Sequence, residues 1–126
     1  MNTKSCTNIE QSRKLIAAGV DESTADLFIT PKVGGYVVST ERAANSEPSW
    51  SVVALYDMLP TSITYDGSSY VLRSSCKPFC SCCYEGGGTK RIMDFKGWDD
   101  LVDMLTEAVL WFMMAKDELS YERNQV

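Results

Sequence analysis

The chain has 126 residues, 44% of them apolar and 23% charged, with a formal net charge of -5 and a pI of about 4.6, values that fit one folded domain and exclude a disordered or fibrous chain. The excess of negative charge repels a phosphate backbone and an anionic membrane surface alike, which sets nucleic acid and membrane aside as partners. Histidine is absent, so Ser-His and Cys-His nucleophiles are excluded, nothing marks another side chain as a substitute base, and a non-enzymatic protein is expected.

Met1 to Asn8 has one lysine and no apolar stretch, so no secretory signal is expected there and the reading is of a cytoplasmic protein. Thr7 to Glu10 fits a capping box with Thr7 at the N-cap, followed by Leu15 and Ile16 at helical spacing, which predicts a helix over 8–18 closed by Gly19. Asp21 then caps a predicted second short helix over 22–29, stopped by Pro31. The sequence thus opens on a short helical pair.

Gly34-Gly35 is a turn signal, and Tyr36 to Thr40 is β-branched and aromatic enough for a short strand. A polar loop follows, after which Pro48 and Ser49 open a predicted middle helix carrying Trp50, Val53, Leu55, Met58 and Leu59 as far as Pro60. Asp66-Gly67 between 62–65 and 69–74 is a hairpin signal. Two further strands, 79–85 and 90–95, joined by the glycine-rich stretch 86–89, complete an antiparallel meander of about four strands. A final helix begins near Asp99 and Asp100, runs to about Lys116 and covers one face of the sheet, and 119–126 is read as a frayed tail. The expectation is a single α+β domain over 1–126.

Five features bear on chemistry or binding. Cys76, Cys80, Cys82 and Cys83 place four thiols within eight residues, enough donors for a tetrahedral zinc ion, although the spacing is not that of paired C-x2-C knuckles. Strand alternation across this stretch turns Cys80, Cys82 and Tyr84 to one face and Cys83 to the other, which makes small buried hydrophobes the simpler reading. Five cysteines is an odd count, so reduced thiols are expected. The helical corner around Gly19 has the outline of a helix-turn-helix, but its second helix would carry Asp21, Glu22 and Asp26 and no lysine or arginine, against DNA binding.

The glycines at 86–88 lack the order of a phosphate loop. Asp99, Asp103 and Glu107 share a helix face that is read as solvated rather than cation-binding. From Ala108 to Ala115 the final helix is apolar all round, a run far short of the roughly 20 residues that cross a bilayer. Either the sheet wraps this segment, or Leu110, Trp111 and Met114 form a patch that meets a protein partner, often a second copy.

Glu10 to Phe28, Pro48 to Pro60, Ile63 to Leu72 and Cys82 to Gly86 together resemble a loose family of small uncharacterised proteins encoded in prophages and mobile elements of gut Bacteroides-type bacteria. The resemblance spans most of the chain and rests on structural motifs, with the cysteine cluster and triple glycine as departures. It implies a cytoplasmic accessory protein of phage or mobile-element origin and carries no site residue. The expected function is therefore an interaction protein, self-associating through its last helix, with a zinc module on the four cysteines as the alternative.

Overall fold

The structure is a computed structural model that describes residues 4–122. In chain order it contains α1 (Ile9–Ala17), a 3-10 turn (Glu22–Thr24), β1 (Leu27–Lys32), β2 (Gly35–Ser39), β3 (Glu47–Ser49), α2 (Val52–Asp57), β4 (Ser62–Tyr65), β5 (Ser68–Ser75), β6 (Cys80–Gly86), β7 (Arg91–Trp98), α3 (Leu101–Ala115), a second 3-10 turn (Lys116–Glu118) and β8 (Ser120–Tyr121). The strands form two antiparallel sheets, ordered β2-β1-β3 and β7-β6-β5-β4-β8. The α+β class stands, while the expected four-strand meander is a five-strand sheet accompanied by a separate three-strand one.

α1 starts one residue later than its sequence signal. Asn8 is the N-cap: its Oδ1 accepts from the Gln11 N–H at 2.8 Å, and Gln11 Oε1 accepts in return from the Asn8 N–H at 3.0 Å. Thr7 is drawn inside, where its hydroxyl lies 2.8 Å from Ser12 Oγ and 3.2 Å from Ser49 Oγ and accepts from the Trp50 N–H at 3.0 Å. The Thr7 N–H donates to the Trp50 carbonyl at 2.9 Å. Burial of a hydroxyl is costly unless it is bonded, and this network satisfies all three hydroxyls at once.

The second predicted helix is absent, and with it the helix-turn-helix. Asp21 does cap, accepting from the Ser23 N–H at 2.9 Å, but only the single 3-10 turn follows. Thr24 is held by the Trp50 indole N–H at 2.9 Å, and Asp26 accepts from the Ser51 N–H and hydroxyl. With Asp26 fixed there, Leu27 onward extends, because Phe28, Ile29 and Thr30 favour a strand and Pro31 biases its predecessor against helix. β1 pairs β2 from Phe28↔Ser39 to Lys32↔Gly35 and pairs β3 from Leu27↔Ser49 to Ile29↔Glu47.

The middle helix is also shorter than expected. Pro48 and Ser49 belong to β3, Trp50 follows as a fully buried side chain, and Ser51 is the N-cap of α2. The hairpin at Asp66-Gly67 matches its sequence signal: both residues have positive φ, +50° and +79°, with Tyr65↔Ser68 as the closing pair. Ser120 and Tyr121 add an edge strand to β4, pinned by the Tyr121 ring against Phe112 at 4.9 Å, where a frayed tail was expected. Residues 123–126 of that predicted tail lie outside the described residues.

α3 crosses β6 and β7 and packs beside α2. Val102, Met104, Leu105, Ala108, Val109 and Phe112 face a connected core with Leu15, Trp50, Leu55, Leu59, Ile63, Tyr84 and Met93. Asp100 caps α3 through the Asp103 N–H at 2.9 Å. Among the described residues no helix is long and apolar enough to cross a membrane.

Replacing Thr7 with valine keeps the shape but removes a hydroxyl shared by Ser12, Ser49 and the Trp50 N–H. Urea unfolding is expected to show a loss of about 1–3 kcal/mol. An unchanged midpoint would mean that the network is not what holds Trp50 in place.

Candidate functional site

The sequence points to two places, the cysteine run and the apolar end of α3, and the structure treats them differently. β6 begins at Cys80, and its alternation carries Cys80, Cys82 and Tyr84 into the core. Cys83 is buried but is not part of that core. It lines a shallow groove on the outer face of the sheet with Arg73, Arg91 and Lys96. Cys76 follows β5 and is exposed. Only one pair of these thiols is close: Cys80 Sγ–H donates to Cys76 Sγ at 3.1 Å.

The four predicted zinc ligands therefore do not share one face, because Cys82 and Cys83 are neighbours in a strand and diverge. Among the described residues no three histidine, cysteine, aspartate or glutamate side chains are grouped to hold a metal ion. Within the acidic stripe of Asp99, Asp103 and Glu107, Asp103 is engaged by the N-terminal segment. Asp103 is ion-paired with Lys4 Nζ at 2.5 Å and accepts from Gln11 Nε2 at 2.6 Å, while Asp100 accepts from the Lys4 N–H at 2.9 Å.

Burial dominates the chemistry of the inward thiols. It pushes the Cys80 thiol up to about 11, helped by its hydrogen bond to Cys76. It pushes Cys82 up to about 12, with neighbouring Cys83 adding to the effect. Cys83 and Tyr84 are raised by the same cause. The Tyr84 hydroxyl is inside the core and donates to the Pro60 carbonyl at 2.7 Å. Cys80 and Cys82 are thus neutral at pH 7 and weak nucleophiles toward a reagent arriving from solvent.

Leu110 and Trp111 are half-buried and lie against the core, the Trp111 ring 5.9 Å from that of Tyr84. Met114 alone of the predicted patch is exposed, at 85%. Of the two readings of this segment, the geometry favours the one in which the sheet covers it.

Among the described residues Val53, Val71, Phe79 and Met114 are exposed singly, and the longest unbroken run of exposed apolar side chains lies on the β1–β2 hairpin. Tyr36 is 64% exposed, Val37 46% and Val38 47%. Successive side chains of a strand point to opposite faces, so β2 is bare on both. It is bonded to β1 on one side only, and in an antiparallel ladder alternate residues turn their N–H and C=O outward from such an edge. An open depression lined by Ile9, Arg13, Ala17 and Tyr36 separates β2 from α1. Arg13 beside it is committed to Glu47 at 2.8 and 3.1 Å, which raises its already high pKa.

The other sheet edges are each blunted. β8 has two residues and β3 has three, including Pro48. β7 carries Arg91, Asp94 and Lys96, is interrupted by register shifts, and has Met93 at φ +54°. Charge, proline, brevity and bulges are the usual protections against edge-to-edge pairing, and β2 has none of them. The β-rich run Tyr36 to Thr40 marks this strand in the sequence, but its exposure is set by the tertiary fold. The missed signal was a pair of β-rich runs, 27–32 and 36–40, around Gly34-Gly35, which marks a hairpin as well as a turn.

The chain matches no protein-family model, no curated protein and no solved structure.

The buried Cys80, Cys82 and Tyr84 fix the sign of a pH dependence. Their folded-state values lie above the ordinary ones, so their neutral forms are favoured by folding, and well below pH 9.0 the thiols are protonated in both states. Above that value the unfolded chain releases their protons first, and stability falls as pH rises. Urea midpoints are expected to decline steadily from pH 9 to about 11. A flat profile over that window would contradict the burial of these groups.

Proposed function

We propose that the protein is a non-enzymatic interaction module that pairs with a second copy of itself through the edge of β2. The observation that carries this reading is that Tyr36, Val37 and Val38 are exposed on a strand bonded on one side only. Adding a strand at such an edge supplies main-chain hydrogen bonds for affinity and side-chain contacts for register. A two-fold axis would set β2 against β2, and a strand of Gly35, Tyr36, Val37, Val38 and Ser39 brings no like charges together when it meets itself.

This reading keeps self-association and moves it from the α3 patch to the hairpin. Leu110 and Trp111 then act as packing residues. The sequence resemblance supports a setting in the cytoplasm, as an accessory protein of a phage or mobile element.

Native mass spectrometry at tens of micromolar is expected to give a dimer, and Val37→Lys should give a monomer. Because Val37 is on the surface, the substitution should change stability by no more than about 0.5 kcal/mol. Trp111→Lys should lower stability instead. A wild-type monomer, or a dimer that survives Val37→Lys, would overturn the proposal.

A further inference from the structure

Cys76 and Cys80 are the one pair of cysteines whose sulfurs meet, and the sheet itself brings them together. Ser75↔Ser81 is the last register pair between β5 and β6. The next positions outward on the two strands are Cys76 and Cys80, so the ladder sets them opposite each other across the connection. Directly opposed residues have Cβ atoms about 4.5–5.5 Å apart, close to the roughly 4 Å that a disulfide needs. Their sulfurs are 3.1 Å apart, about 1 Å more than the bond length. Small side-chain rotations close that gap with the backbone already in register.

The two thiols differ in access. Cys76 is exposed, whereas Cys80 is 8% exposed and joins the core. Among the five cysteines this is the pair with sulfurs in contact: Cys82 faces the core farther along β6, Cys83 lies outside that core, and the Cys6 backbone is bridged to that of Ser51. This arrangement has an exposed thiol that a small reagent can reach and an adjacent one, shielded from solvent, that can resolve the product.

We propose that Cys76 and Cys80 form a dithiol site that low-molecular-weight disulfides of the glutathione class oxidise reversibly. The Cys76 thiolate attacks one sulfur of the reagent, and its S–S bond breaks to release one thiol, leaving a mixed disulfide on Cys76. The Cys80 sulfur, losing its proton, then attacks the Cys76 sulfur and expels the second reagent thiol. Two protein thiols are oxidised to one disulfide, one reagent disulfide is reduced to two thiols, and the two thiol protons end on those products. Excess reduced thiol reverses both steps. The high pKa of Cys80 makes it a poor first nucleophile, which agrees with attack beginning at Cys76.

Incubating the reduced full chain with oxidised glutathione at pH 8, quenching in acid and alkylating under denaturing conditions tests this directly. The expected product has lost two hydrogens, two of its five thiols resist alkylation, and fragmentation locates the link between Cys76 and Cys80. Dithiothreitol restores the starting mass. Cys76→Ser, at an exposed position that leaves the fold intact by near-ultraviolet circular dichroism, should abolish the two-hydrogen loss, and Cys83→Ser should not. A stable glutathione adduct on Cys76 with Cys80 still alkylated, a link between other cysteines, no reaction at all, or a two-hydrogen loss that persists in Cys76→Ser would each overturn the proposal.

Discussion

The fold hangs on Trp50. Its side chain is fully buried, its indole N–H is satisfied by Thr24, and its backbone N–H and carbonyl are both bonded to Thr7. A buried indole contributes a large hydrophobic gain only when its polar group finds a partner. Meeting that condition draws the N-terminal segment, the first 3-10 turn, β3 and the start of α2 to one point. Asp26 on Ser51 completes the clamp. The chain leaves that point as β1, whose middle, Ile29 and Thr30, is buried, and whose end, Pro31 and Lys32, is exposed. β2 pairs along β1 out to that exposed end and is itself exposed over most of its length.

Much of the larger sheet could be read from the sequence because its signals are local. Asp66-Gly67 fixes a two-residue turn with positive φ, and the alternation through Cys80, Cys82 and Tyr84 assigns a buried face. The last helix was legible from its acidic start and apolar run. What could not be read depends on partners distant in the chain. Glu22 to Ile29 looks helical by its cap, but Thr24 and Asp26 are taken by Trp50 and Ser51, about 25 residues away. Pro48 and Ser49 look like a helix start, yet Ser49 is needed in the network with Thr7, and so the cap falls to Ser51. β8 had no local signal, and the Phe112–Tyr121 ring contact makes it.

The candidate sites divide along the same line. The apolar circumference of α3 was evident, but whether a face is covered is a tertiary fact, and Tyr84 supplies the cover for Trp111. The cysteine run was evident too. Strand geometry divides it into Cys82 and Cys83, which point to opposite faces, and a facing pair, Cys76 and Cys80. Exposed apolar residues scattered singly need no explanation, but three in succession on an unprotected edge do. β7, at the far side of the larger sheet, carries charges and register shifts that β2 lacks.

Hydrogen–deuterium exchange as a function of protein concentration tests the role of that edge most directly. Pairing at β2 predicts that the Tyr36 to Ser39 amides gain protection as concentration rises, while the β7 edge from Arg91 to Trp98 exchanges at a constant rate. Rapid exchange of the β2 amides at every concentration, or protection appearing first on β7 or along α3, would contradict it.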